Sequence, residues 1–174
     1  MQSRDLISQR LSLRPFTERD TDKLFQLYGN VDVMAIRKIG VQSRAGSDIQ
    51  LHNILDHWER RGFGLWAVYD RESDVFMGEC GLREENSHDD MVELSYGLLP
   101  QFWGGGRATE AATTVLDFGL KELGLKKVYG FAQKKNHASL HILGKLGFKH
   151  ECDFDEDGDI ITRTAFSSTA LPAE

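Results

Sequence analysis

The sequence is poor in proline, with 3 residues, and in cysteine, with 2, and it has no long apolar run. No stretch approaches the roughly 20 apolar residues of a membrane span, so no membrane association is expected. The first ten residues carry charges and lack the apolar centre of a secretory signal. Cys80 and Cys152 fall in apparent strands without Cys-x-x-Cys spacing. Two buried reduced thiols are therefore expected rather than a disulfide or metal site, with the cytoplasm as default compartment. Positive charge is not in excess either: 27 acidic residues against 21 basic give a formal net charge of −6. That balance argues against nucleic-acid binding, which relies on clustered Lys and Arg to displace counterions. What remains is a chain of 174 residues, 40% hydrophobic and 28% charged, the size of one domain whose core needs no staples. A single domain over 1–174 is expected, with its core from about 6 to 166 and a frayed tail at 167–174. Glycine, at 17 residues, is plentiful.

Periodicity gives a first strand over 6–14, then a helix to about Tyr28 opened by Thr17 and Asp20. Residues 29–46 have no clear period and read as a loop with at most one helical turn. Ser47 with Gln50 resembles a capping box for a helix running to about Arg61. Strands follow at 63–70, 74–83 and 91–99, the last two separated by a polar loop over 84–90. In 91–99, Val92, Leu94, Tyr96 and Leu98 alternate with Glu93, Ser95 and Gly97. A helix over 107–123, a strand over 127–132, a helix from Asn136 to Leu146 and a hairpin of 148–154 and 160–166 complete the chain. The strand–helix–strand unit 91–132 requires a parallel pair with a right-handed crossover, whereas the earlier strands read as antiparallel. The expected fold is α/β (α+β): a mixed, mostly antiparallel central sheet with a parallel pair at its centre, flanked by helices. A site is expected at the carboxyl ends of the parallel strands.

That is where Gly104, Gly105 and Gly106 lie, between a strand and a helix. Such a turn lets backbone approach a ligand, and the free N–H groups of the following helix favour a phosphate or pyrophosphate. The P-loop lysine is missing, as are the third small residue and ribose-binding acid of the dinucleotide fold. Taken alone, the glycines fit a bare turn as well as a phosphate site.

Gln101-Phe-Trp-Gly104-Gly-Gly106 matches Gln/Arg-x-x-Gly-x-Gly/Ala, and Asn136 opens a helix that ends in Lys145-Leu-Gly147-Phe148. In this order and spacing the two segments resemble the acetyl-CoA signatures of the GNAT N-acetyltransferases. Pro100, Trp103-Gly104, Ala108-Thr109-Glu110-Ala111 and the opening Arg10-Leu11-x-Leu13-Arg14 are similar to the RimJ/RimL-like branch, which acetylates protein N-termini and other amines. The resemblance covers residues 6–166. It implies acetyl-CoA as cosubstrate and no metal. It also implies an amine acceptor: a protein N-terminal α-amine by preference, or a small-molecule amine.

The same resemblance assigns the pyrophosphate to the amides of Gly104, Gly105, Gly106, Arg107, Ala108 and Thr109, and the pantetheine arm to the strand edge near Leu98 and Leu99. Arg107, Lys134 and Lys135 are candidate partners for the CoA phosphates, surface charge being the alternative for the lysines. An ammonium must lose its proton before it attacks a thioester, and Glu93, a charge in an apolar strand, is the candidate base; the alternative is a structural ion pair. The usual tyrosine of the second signature is replaced by Leu143, so Ser139, on one helical face with Ile142, Leu143 and Leu146, becomes the candidate acid, with close packing as its alternative. Asn136 either bonds the pantetheine arm or caps its helix. His137 and His141 read as solvent-facing, and Trp58 and Phe63 as core or groove. The competing reading is a non-catalytic acyl-CoA-binding or regulatory module. Monomer and homodimer both remain open.

Overall fold

The computed structural model describes residues 4–84 and 91–168. In chain order the elements are β1 (Leu6–Ile7), β2 (Leu11–Pro15), α1 (Thr21–Tyr28), α2 (Val31–Met34), α3 (Arg44–Arg61), β3 (Leu65–Asp70), β4 (Phe76–Glu84), β5 (Val92–Leu98), α4 (Arg107–Lys121), β6 (Lys127–Gln133), α5 (His137–Lys145), β7 (Lys149–Glu156) and β8 (Asp159–Ser167). One eight-stranded sheet runs β1-β2-β3-β4-β5-β6-β8-β7, with β5–β6 its parallel pair. The mixed sheet with helical flanks agrees with the sequence reading.

The parallel pair matters most. β4 and β5 are in register from Glu84–Val92 to Gly78–Leu98, whereas β5 and β6 meet in register only at Glu93 and Tyr129. Beyond that rung the two strands run without pairing to their carboxyl ends, and the glycine turn follows β5 there. Alternation along β5 sends Val92, Leu94, Tyr96 and Leu98 to one face and Glu93, Ser95 and Gly97 to the other. Helix α4 covers the first face, where Gly119 lies against Leu82. Tyr28 of α1 reaches Glu79 on the second.

Some expectations need correction. The strand read over 6–14 is a hairpin, because Ser8 caps its own turn: its Oγ accepts from the Leu11 amide at 3.2 Å. Helix α3 begins at Arg44 rather than after Ser47, because Ser43 accepts the Gly46 amide. Thus Ser47 is an interior helix residue, and its buried hydroxyl has no partner among the described residues. The segment 29–46 contains α2, capped by Asn30 through the Asp32 and Val33 amides. Cys80 is buried but Cys152 is only half-buried, and both are free. Of the tail read as frayed over 167–174, Ser167 pairs with Lys127 and the Ser168 amide bonds Lys126, while 169–174 lie outside the described residues. Of the loop read over 84–90, Glu84 belongs to β4 and 85–90 lie outside the described residues.

Trp66 is fully buried, in edge-to-face contact with Trp58 and Phe118 at 4.8 and 5.3 Å between centroids. Such pairs add to area burial in anchoring helix to sheet. Trp58 and Phe63 both belong to this core, which removes them from any groove.

Candidate active site

Gly104 and Gly106 take φ of +81° and +75°, a region that a side chain strains, and Gly106 is the residue from which α4 starts. The result is a run of amides, from Gly104 through Thr109, none of which donates to another described residue. The turn is shaped from a distance. The Glu110 carboxylate accepts from Ser8 Oγ at 2.6 Å, the Arg10 amide at 2.7 Å and Arg10 Nε at 2.6 Å, while another Arg10 nitrogen donates to the Gly105 carbonyl at 2.9 Å. Burial alone would raise the Glu110 carboxyl, but these bonds together hold it below its ordinary value. Arg107 lies across Gly105, with a buried Nε that has no described partner. Beside the turn, Arg10, Arg71 and Arg107 line a hollow of about 430 Å³ with Gln9, Asp70 and Glu72. Six amides and an Arg107 Nε without partners among the described residues, together with a helix N-terminus, suit an anionic diphosphate.

Lys134 and Lys135 point elsewhere: their ammonium groups meet Asp153 at 2.9 Å and Asp159 at 3.5 Å in the last hairpin. In the same hairpin, Glu151 is held by Lys127 of β6 and by Arg163 of β8. Lys38, in the segment after α2, reaches Glu156 of the same hairpin at 2.7 Å.

Near the turn, the Leu98 carbonyl accepts from Trp103 Nε1 at 2.8 Å and the Leu99 amide donates to Met77 at 2.8 Å. Both side chains are buried. These two backbone groups are therefore engaged.

Glu93 is buried on the second face of β5 and paired with Arg83 of β4. It stands at the rung where β5 and β6 still meet. On the same face, Glu79 is fully buried and accepts from the Tyr28 hydroxyl and from Arg37, each at 2.8 Å. Arg37 continues to Ser95 Oγ at 3.2 Å and rests on Gly97, where a Cβ would lie 3.2 Å from its guanidinium. Burial and the neighbouring Glu79 charge together raise the Tyr28 phenol.

On the opposite face Tyr96 spans from β5 to α5, its hydroxyl 3.0 Å from Ser139 Oγ and 3.1 Å from the Ser139 carbonyl. Burial pushes the Tyr96 phenol up to about 12, against the lowering effect of its bond to Ser139. Asn136 caps α5 by accepting the Ser139 amide at 3.1 Å, and Leu143 is core, packed at Gly130. His137 and His141 are exposed, and no group of three metal-ligating side chains occurs among the described residues.

Tyr96, Arg37, Glu79 and the Ser8–Arg10 brace were not singled out from the sequence. Tyr96 follows the apolar alternation of its strand, and Arg10 meets Glu110 across 100 residues. No local pattern announces either contact.

A family model of the acetyltransferase (GNAT) domain matches residues 10–149. The chain belongs to the GNAT acetyltransferases. Its relatives include YoaA of Bacillus subtilis, described as an uncharacterised N-acetyltransferase, 29% identical over 151 residues that cover 84% of this chain and 83% of that one. Spermidine N(1)-acetyltransferase of Escherichia coli is 28% identical over 149 residues, covering 81% of this chain and 74% of that one. The solved structure of ribosomal-protein-S5-alanine acetyltransferase from Vibrio fischeri aligns with a TM-score of 0.77 at 14% identity, over 97% of this chain and 99% of that one, a likeness of fold. This GNAT protein is thus an acetyltransferase, and no helix among its described residues is long and apolar enough to cross a membrane.

Proposed function

We propose that this acetyltransferase moves the acetyl group of acetyl-CoA directly to a primary amine, with a protein N-terminal α-amine as its preferred acceptor. The single observation that carries the reading is the run of unpartnered amides from Gly104 to Thr109, at the end of a strand pair that separates after one rung. The pyrophosphate takes those amides and Arg107, and the pantetheine arm passes Leu98, Leu99 and Asn136 into the opening between β5 and β6. Glu93, oriented by Arg83, receives the ammonium proton directly or through water. The neutral amine then attacks the thioester carbon, and an open amide of the turn or strand stabilises the oxyanion. Ser139 lies on the opposite side of β5, toward the leaving sulfur.

Acceptor choice follows from charge. Among the described residues of this face, Glu79 and Glu93 each already hold an arginine, which supports a peptide terminus over a polycation. Calorimetry should show acetyl-CoA binding in preference to ATP or NAD, and CoA release should follow addition of peptides with free N-termini. Acetyl-CoA binding without turnover on any amine would make the protein a binding module. Faster turnover of spermidine than of any peptide would overturn the acceptor preference alone.

A further inference from the structure

The hydroxyl pair formed by Tyr96 and Ser139 joins β5 to α5 where the strands β5 and β6 no longer pair. One proton lies on each oxygen, so the two bonds at Tyr96 allow only two arrangements. In one, Tyr96 donates to the Ser139 carbonyl and Ser139 Oγ donates back to the phenol, which leaves no hydrogen for a ligand. In the other, Tyr96 donates to Ser139 Oγ and the serine proton is free to point away. Ser139 is held in place for this by its own amide, fixed on the Asn136 side chain at the start of α5.

We propose that Tyr96 is a positioning residue that commits the Ser139 proton to the sulfur leaving acetyl-CoA, so that the two hydroxyls act as one hydrogen-bond donor in place of the tyrosine absent at Leu143. The inference rests on the acetyltransferase reading above. When the carbon–sulfur bond breaks, its electron pair passes to sulfur, which accepts the Ser139 hydrogen bond. Tyr96 compensates the serine oxygen with its own. The proton that sulfur finally takes is the one that the acetylated nitrogen must lose, carried by water. Neither hydroxyl changes its protonation state. A phenol that stays protonated throughout the working pH range is suited to this task.

The test is Tyr96→Phe, which keeps the ring and removes only the oxygen. Turnover should fall about tenfold, the scale of one hydrogen bond, while acetyl-CoA affinity stays within about twofold. A second readout does not depend on turnover. The ultraviolet absorbance of the thiolate reports the titration of CoA bound to the protein. Donors facing the sulfur favour its charged form, so the bound thiol should titrate about one pH unit higher in Tyr96→Phe than in the wild type. Ser139→Ala should reproduce both changes, and the double variant should be no worse than the poorer single one. If Tyr96→Phe does not fold, a fluorinated tyrosine in place of Tyr96, a stronger donor of the same shape, should lower the bound thiol's titration instead, and an unchanged titration overturns the proposal. An active wild type whose folded variants match it in turnover and in thiol titration overturns this proposal only. A wild type that binds no acetyl-CoA, or releases CoA to no amine, overturns the proposed function and this inference with it.

Discussion

The two faces of β5 are built on opposite principles. Toward α4 and α5, polar groups are left open or share flexible hydroxyl bonds: the amides of Gly104–Thr109 have no described acceptor, and Tyr96 meets Ser139 through rotatable O–H groups. Toward α1 and α2, charge is closed upon itself, Glu79 with Arg37 and Glu93 with Arg83. The contrast teaches where rigidity and where vacancy are needed. Buried ionised groups are costly unless paired, and each of these two buried carboxylates is supplied with an arginine. Backbone amides carry only partial charge and can wait in solvent for a phosphate at little cost.

The contrast can be broken most severely at Glu79. Glu79→Ala leaves Arg37 facing a buried void, and denaturant unfolding should show a loss of about 3 kcal/mol, the lower end for a broken buried pair because Arg37 is partly exposed. A variant as stable as the wild type would refute the claim that this face is structurally closed. Glu93→Gln should lower turnover about 100-fold and flatten its rise with pH, with acetyl-CoA affinity nearly unchanged. Equal rates across pH would return Glu93 to a purely structural ion pair. On the open face, Gly106→Val forces a β-branched residue to φ +75°, and calorimetry should show acetyl-CoA affinity reduced roughly thirtyfold, equivalent to about 2 kcal/mol of strain. Undiminished binding would remove the turn as the cofactor cradle. The smallest effect is expected for Glu110→Gln, about fivefold in acetyl-CoA affinity, since its bridge to Arg10 is partly exposed. The Glu110 carboxyl is held below its ordinary value, so its clamp is complete above the usual glutamate pKa and is lost only as pH falls through the depressed one. Wild-type affinity should therefore survive mild acid, and a loss already at the ordinary glutamate pKa would contradict that clamp.

Much of the architecture was legible because it is periodic. Alternation in 91–99 placed Glu93 and Tyr96 on opposite faces, and the glycine triplet between strand and helix located the open amides. What was hidden depends on contacts distant in sequence. Ser8 breaks the first strand because its hydroxyl serves both the Leu11 amide and Glu110, which no local pattern encodes. Ser47 has the spacing of a capping residue, yet Ser43 wins the helix start and leaves the Ser47 hydroxyl unpartnered among the described residues. Lys134 and Lys135 sit near the presumed phosphates in sequence, but the acidic hairpin claims them, since Coulomb attraction follows space rather than chain order.

The brace between Ser8–Arg10 and Glu110 also bears on how the molecule is assembled. It joins segments about 100 residues apart, so during synthesis the glycine turn cannot take its final shape until both are out and the strands between them are laid in the sheet. Closing so large a loop is entropically costly and belongs to the slow, non-local part of folding. Shortening the chain past Arg10 would leave the glycine turn without the bonds that Ser8 and Arg10 make to Glu110 and Gly105.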